Sequence, residues 1–250
     1  MRQFLLPPWY AGEPRIKLTG EEFHYLARVL RMREGQECPA VDTRGARYRM
    51  RLVRVGRSEC EAEIAAEDTA SLPSAAVELT LLQCLPKGRK IDLIVRQATE
   101  AGVARIIPLF SENSVVRPGQ DDARRQRLQR IAREALQQSG NARLPEIGEP
   151  RSLASIADGG TDWATALLFH EQPVLTSSLH RLLAARPRAG SMIIGPEGGL
   201  SGREVELLCA AGFQFVHLGV NVLRVETAAL YAIGAVKTIL QERDEWTPVQ

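Results

Sequence analysis

The turn Gly195-Pro196-Glu197-Gly198-Gly199 follows the apolar run Met192-Ile193-Ile194 and leads into a helix-start signal. Glycine turns between a strand and a helix often cradle phosphate, because the free N–H groups and the dipole at a helix start favour an anion. This turn matches neither GxGxxG nor GxxxxGK[ST]. It also carries a carboxylate at its centre. Glu197 would repel a phosphate, so a neutral or cationic ligand with hydrogen-bonding edges suits the turn better. A left-handed turn that needs glycine for its geometry alone explains the spacing equally well.

A second stretch, "HLGVNVLRVETAALYAIGAVKTIL" at 217–240, places a strand end at Leu218-Gly219, a short loop through Leu223, and then Arg224-Val225-Glu226-Thr227 before an apolar helix. Thr227 can cap that helix, and Glu226 lies at its positive end, a dipole role that explains the residue as well as chemistry does. Arg224 has no such structural excuse, being a cation in a loop between two apolar elements. A third stretch, "LLFHEQ", ends a strand at His170-Glu171. From spacing alone, a strand running out to solvent is the better reading there. His24, His170, His180 and His217 show no HxxxH or HxH pattern, so no metal site is expected. There is no GxSxG elbow. Cys38, Cys60, Cys84 and Cys209 have no CxxC spacing and read as small buried apolar residues.

Charge is unevenly distributed. The chain has 250 residues and a net charge of only +2, but residues 28–57 hold nine arginines against three acids. Arg47, Arg49 and Arg51 alternate along one strand, which spaces cations about 7 Å apart, a row suited to a polyphosphate backbone. A solvated, aggregation-resistant edge is the competing explanation. Arg28 and Arg31 precede that row, and Lys87 and Arg89 lie in a second basic run, "PKGRK" at 86–90.

The elements that would position these residues fall into two textures. Residues 1–72 contain short strand patterns: "ARYRMRLVRV" (46–55) and "ECEAEIA" (59–65) alternate with a period near two. A helix is expected at 20–32, capped by Thr19, with Glu21 and Glu22 in its first turn. Together they suggest a small barrel or sheet. "TASLPSAA" (69–76) reads as a linker. Beyond it, strands at 77–85, 103–110, 164–171, 191–195 and 213–219 alternate with helices at 90–102, 121–140, about 174–185, 201–211 and 227–242. That alternation predicts an α/β domain with a mostly parallel sheet covered on both faces. Gly102 is expected to end its helix, and Ser201 with Glu204 forms an S-x-x-E capping box. The glycine turn, the Arg224 loop and His170-Glu171 then all lie at carboxyl ends of strands, where open α/β sheets bind ligands. No apolar run approaches the roughly 18 residues of a membrane span. "MRQFLLPPWY" is too short and proline-rich for a signal peptide, so a cytoplasmic location is expected.

Taken together, "LIVRQATEAGVARIIPLFSENSVVR", "RIAREALQQSGNARLPEI", "IIGPEGGLSGREVE" and "LGVNVLRVETAALYAI" resemble the ribosomal RNA small subunit methyltransferase E family, the 16S rRNA uridine N3-methyltransferases of the SPOUT superfamily. "HYLARVLRMREGQ" resembles that family's RNA-binding domain. The resemblance runs the length of the chain. It implies a PUA-like β-barrel over 1–72 and, over 73–250, a domain with a deep trefoil knot that binds S-adenosylmethionine, in a homodimer acting on 16S rRNA or the small ribosomal subunit. By match to the family, Glu171, Gly195, Pro196, Glu197, Gly198, Gly199, Leu218, Gly219, Leu223, Arg224 and Thr227 would contact the cofactor. Arg28, Arg31, Arg47, Arg49, Arg51, Lys87 and Arg89 are the candidate RNA contacts. Three positions depart from the common pattern: Asn141 stands where arginine is usual, Ala101 where leucine is, and Arg96 where lysine is frequent.

Methylation of uridine N3 needs an exposed base, loss of its N3 proton, and alignment with the methyl donor. Arg224 is expected to stabilise the anionic base through the uracil oxygens, with Glu226 either orienting Arg224 or accepting the proton. Rival readings are a SPOUT methyltransferase for another rRNA or tRNA nucleotide, a non-catalytic RNA-binding assembly factor, and a nucleotide-using kinase or NTPase. The missing P-loop and the carboxylate of Glu197 argue against the last.

Overall fold

The computed structural model describes residues 2–67, 77–114, 122–158, 163, 165–171 and 177–241. The linker expected at 69–76, the domain boundary expected at 72/73 and the start of the helix expected at about 174 lie outside the described residues. The chain divides into two compact units. The first comprises Met1–Ser74 with Arg133–Leu144, and the second Ala75–Ala132 with Pro145–Gln250.

The first unit is built on a sheet of five strands: β1 (Phe4–Leu5), β2 (Arg15–Thr19), β3 (Glu37–Val41), β4 (Arg47–Val55) and β5 (Glu59–Ala66), in the order β1-β3-β4-β5-β2. β4 follows the expected alternation, with Met50 and Leu52 fully buried and Arg49, Arg51 and Arg54 outside. Its period slips at Val53 because the register with β5 shifts between Leu52 and Arg54. A bulge gives one strand an extra residue, which changes the parity of everything after it. Phe4, Leu18, Leu26, Met50, Leu52 and Ala62 lie in the core of this unit.

The helix expected at 20–32 is shorter and different in kind. An α-helical segment, α1 (Gly20–His24), passes directly into a π-helical segment at Tyr25–Val29. Thr19 does not cap it. It is extended (φ −134, ψ 179), pairs with Glu59 as the last residue of β2, and makes no side-chain cap bond. Arg31 ends the helical run in the left-handed region at φ 53, and Met32 N–H donates to Leu26 C=O at 2.9 Å. A glycine is usual at such a position, and an arginine there carries roughly 1 kcal/mol of strain.

The second unit is a seven-stranded sheet ordered β12-β10-β11-β6-β7-β8, with β9 also on β7. In chain order the elements from residue 77 on are β6 (Glu78–Cys84), α2 (Lys90–Glu100), β7 (Arg105–Phe110), α3 (Asp122–Ser139, whose residues from Arg133 on group with the first unit), β8 (Glu146–Ile147), β9 (Arg151–Ser152), α4 (Leu153–Asp158), β10 (Ala166–Phe169), α5 (Leu179–Leu182), β11 (Ala189–Ile194), α6 (Gly202–Ala210), β12 (Gln214–Val216) and α7 (Val225–Gln241). Every strand pairing in it is parallel. β10 is buried at all positions because helices cover both faces. Leu82, Leu168 and Ile193 join a core with Leu153, Ile156 and Leu208 of α4 and α6. The residues next to them in sequence, Leu81, Leu167 and Met192, point to the other face and are equally buried. On that side α7 packs against β11 and α2.

Local signals fix several element ends. Gly102 stands at φ 77 after α2, with Gly102 N–H on Thr99 C=O at 3.0 Å and Val103 N–H on Ala98 C=O at 2.9 Å. These are the two bonds of a Schellman end. The capping box at α6 is complete, since Ser201 and Glu204 each accept the other's backbone N–H. α7, however, begins at Val225. The carbonyl of Arg224 accepts the Ala228 N–H at 2.8 Å, so Arg224 is the boundary residue and Thr227 sits exposed inside the first turn. Cys209 corrects another expectation. Cys38, Cys60 and Cys84 are buried, but Cys209 is exposed. Glu204 and Leu208 face inward on α6, and the residue after Leu208 points outward.

Candidate functional site

The ends of β10, β11 and β12 lie side by side, and the loops that leave them surround a cavity of about 290 Å³. Of the expected ligand residues, Glu171, Gly195, Pro196, Glu197, Gly199, Leu218, Gly219, Leu223 and Arg224 line it. Gly198, Thr227 and Glu226 do not. Ile194, Leu200, Val225 and Ala228 supply an apolar part of the wall. Lys90, Phe169, His170, Asn221 and Val222 also line it and were not among the expected ligand residues.

The glycine turn is held from three directions. Gly199 N–H closes it onto Pro196 C=O at 3.0 Å. Asn113 Nδ2 donates to the carbonyls of Gly198 and Gly199 at 3.2 and 3.1 Å. Lys87 N–H donates to both carboxylate oxygens of Glu197 at 3.1 and 3.2 Å. Glycine is required at 199 on two counts: φ is +69, and a Cβ there would stand 3.1 Å from Glu171 Oε1. Gly198 explains itself differently, since a Cβ there would come within 3.3 Å of Asn113 Cβ. It shapes the turn without facing the cavity.

Glu204 ties the turn to the strand beside it. Only 7% exposed, it accepts Ser201 N–H at 2.9 Å on one oxygen and Glu112 N–H at 2.8 Å on the other. The loop after β7 is thereby fastened to the start of α6. Gln83, fully buried at the end of β6, donates to Ile194 C=O at 3.4 Å, one residue before the turn.

Glu197 does not meet the cavity as a bare anion. Its partner is Lys90, whose Nζ lies 2.9 Å from Oε1. Partial burial pushes the Glu197 carboxyl up, but the hydrogen bonds from Lys90 and from backbone N–H groups outweigh that and hold it below the usual range. Hydrogen bonding to Glu197 in turn raises the Lys90 ammonium. From sequence, the turn is expected to suit a neutral or cationic ligand because of the Glu197 charge; that charge is already answered by a cation of the chain, Lys90. Glu226 is similar. Its closest charge is Lys90 Nζ at 3.9 Å, and its Oε2 is buried with no hydrogen-bond partner among the described residues. Arg224 is exposed and forms no ion pair among the described residues. No hydrogen bond or ion pair links Glu226 to Arg224 among those residues.

The candidate RNA contacts of the first unit divide by their partners. Arg49 faces Glu67 at 3.6 Å, and Arg51 stands opposite Glu37 on β3 and Glu63 on β5. Arg54 pairs with Glu61 at 2.7 Å, and Arg47 Nη2 reaches Gly140 C=O at 3.4 Å. The arginine row on β4 is thus largely answered by its neighbours. Arg28 and Arg31 are exposed, with no ion pair among the described residues. In the second unit, Lys87 and Arg89 are exposed in the loop before α2, and that loop carries the N–H that binds Glu197. Asn141 takes a structural part: its carbonyl accepts Gln3 Nε2 at 2.6 Å, and its side chain bonds the backbone of Arg143 at 3.3 Å.

Comparison with known proteins meets this geometry directly. Residues 73–237 match the model of an RNA methyltransferase domain, and residues 18–65 that of an RNA methyltransferase PUA domain. The chain belongs to the ribosomal RNA small subunit methyltransferase E family. It is 30% identical to the Bacillus subtilis member over 232 residues, covering 89% of this chain and 90% of that one. Its fold matches the Neisseria gonorrhoeae member bound to S-adenosyl methionine with a TM-score of 0.84 and 29% identity, over 96% of this chain and 98% of that one. A Legionella pneumophila methyltransferase in complex with the same cofactor gives a TM-score of 0.84 at 26% identity, over 94% and 96% of the two chains. The fold is therefore α/β of SPOUT type with a PUA-like N-terminal module. Among the described residues, no group of three or more His, Cys, Asp or Glu side chains is arranged for a metal. No helix among them is long and apolar enough to cross a membrane.

Proposed function

We propose that this chain, an S-adenosylmethionine-dependent ribosomal RNA small subunit methyltransferase, methylates N3 of a uridine in 16S rRNA. The observation that carries the reading is the cavity at the ends of β10, β11 and β12, which lies within the residues that match the RNA methyltransferase domain. The lining fits the cofactor. An apolar wall of Ile194, Leu200, Leu223 and Ala228 suits adenine, and Glu171 offers acceptors to ribose hydroxyls. Gly199 lets the backbone and that carboxylate approach each other. Bound there, S-adenosylmethionine supplies an electrophilic methyl group on a sulfonium.

The chain's own residues do the rest. Arg224, exposed at the cavity, donates to the oxygens on either side of uracil N3 and stabilises the base as its proton leaves. That is charge stabilisation where charge develops, worth about 10²–10³ in rate when one such donor is lost. Glu226 pairs with Lys90 and not with Arg224, which leaves it the other role expected of it, accepting the N3 proton as the methyl group is transferred. Lys87 and Arg89 beside the turn, with Arg28 and Arg31 in the first unit, contact RNA phosphates, which position the substrate without reading sequence. The residues 1–72 serve as the RNA-binding module and 73–250 as the catalytic one.

The knot and the dimer belong to the same reading. β12 lies at the sheet edge, yet α7, which follows it after one loop, packs against β11 and α2. A return to the middle of the sheet supports threading. On α7, Leu230 and Tyr231 are 41% and 56% exposed, and a Cβ on Gly234 would meet nothing within 4 Å. An apolar helix face with room for close approach supports a homodimer. Action on ribosomal RNA supports a cytoplasmic location.

The test is nucleoside mass spectrometry of small-subunit rRNA from cells with and without the gene. Loss of 3-methyluridine on deletion, restored by the wild-type gene, is expected. Unchanged 3-methyluridine refutes the reading. A methylated nucleotide lost elsewhere would transfer it to another SPOUT substrate.

A further inference from the structure

Three charged residues with no sequence motif in common meet beside the cavity. Lys90 begins α2, Glu197 is the centre of the turn after β11, and Glu226 lies in the first turn of α7. Lys90 Nζ stands 2.9 Å from Glu197 Oε1 and 3.9 Å from Glu226 Oε2. Lys87 N–H, from the same loop, holds Glu197 at 3.1 and 3.2 Å. Glu226 Oε2 is buried without a hydrogen-bond partner among the described residues, so Lys90 is the charge that answers it. The side chains of Glu197 and Glu226 are 24% and 16% exposed. Lys90 itself lines the cavity.

We propose that Lys90 is a positioning residue of the cofactor pocket. Its ammonium latches the glycine turn to the start of α7 and so sets the separation of the two loops that enclose the cavity. The inference rests on the reading that this cavity takes S-adenosylmethionine. The physical reason is the balance of charge. One cation between two carboxylates leaves the group with a single net negative charge. Without the cation, two partly covered carboxylates share a small volume, and stranding them costs more than losing a fully exposed pair. The strain is relieved when the turn and the helix separate, or when one carboxylate takes up a proton. Separation moves a wall of the pocket, and proton uptake removes the charge that Lys90 would hold.

The test measures binding of S-adenosylmethionine and of its neutral product, S-adenosylhomocysteine, by titration calorimetry. The proteins compared are wild type, K90M, K90R, E226Q and K90M/E226Q. K90M keeps most of the side-chain volume and removes the charge. It is expected to weaken both ligands about tenfold, the loss of roughly one charge-assisted hydrogen bond. K90R keeps the charge and stays within about threefold of wild type. K90M/E226Q removes one of the two stranded carboxylates and binds more tightly than K90M, a recovery that loss of packing alone would not produce. Amide exchange over 195–199 should quicken in K90M and return in K90R. Binding by K90M within twofold of wild type, or K90M/E226Q binding no better than K90M, overturns the latch. Wild-type protein that binds neither ligand overturns the cavity assignment, and the latch with it.

Discussion

Replacing Gly199 by alanine tests how the turn and Glu171 depend on each other. The backbone at 199 is left-handed, φ +69, and an alanine Cβ would stand 3.1 Å from Glu171 Oε1. Forcing an L-residue into that region costs roughly 1–2 kcal/mol. For a chain of this size each kcal/mol corresponds to about 2–4 °C, so the melting temperature should fall by about 2–8 °C. The contact adds a functional cost. Glu171 must retreat by a few tenths of an ångström from the wall it shares with the cavity. If its carboxylate accepts hydrogen bonds from the ribose, losing one charged bond weakens cofactor binding by about ten- to a hundredfold. Two controls separate these effects. Gly202→Ala introduces a Cβ with nothing within 4 Å and should leave binding unchanged. Gly198→Ala lies on the side of the turn that meets Asn113, so it should perturb stability more than affinity. Calorimetric binding and thermal unfolding of the four proteins provide the assay. Gly199→Ala with wild-type affinity and melting temperature would refute the coupling of turn and carboxylate.

Other predictions follow from the same contacts. Arg224→Ala should slow single-turnover methylation about 10²–10³-fold at saturating cofactor and RNA, and a rate near wild type removes its role. Ser201→Ala breaks one arm of the capping box on α6 and should cost about 1 kcal/mol in urea unfolding; an unchanged midpoint would argue that Glu204 alone holds the helix start. Arg28→Ala with Arg31→Ala should lower the slope of log affinity against log salt by about 1.4 if each meets a single-stranded phosphate. An unchanged slope excludes those two from the RNA surface. Glu197 is held below the usual carboxylate range, so its ionised form contributes stability above about pH 4.3, and that contribution disappears as pH falls through its lowered folded value. The stability of Glu197→Gln should therefore decline less steeply than wild type in acid, and parallel curves would refute the assignment.

Local order in this protein was legible from sequence wherever the cause was local. Ser201 and Glu204 are three residues apart and define the start of α6 by themselves. Gly102 ends α2 because its own φ of 77 closes two bonds to the last turn. Alternation along β4 separated Met50 and Leu52 from Arg49 and Arg51. Placing three stretches at strand ends brought Glu171, Gly195, Glu197, Leu218 and Arg224 to one cavity, since a parallel sheet carries every such loop to the same edge. Where sequence misled, competing geometry won. Thr19 looks like a cap but is spent in the β2 ladder, and Thr227 sits a turn too late because the carbonyl of Arg224 already starts the helix.

Tertiary structure alone decided the pairings. Glu197 and Lys90 are 107 residues apart in the chain yet 2.9 Å apart in space, and Glu112 lies 92 residues from the Glu204 that holds it. Arg133–Leu144 groups with the first unit although it follows the second unit's opening strands in sequence. Propensity, periodicity and caps act over a few residues and so can be read along the chain. Which cation answers a half-buried carboxylate depends on the path of the backbone through the whole sheet, and no short window contains that path.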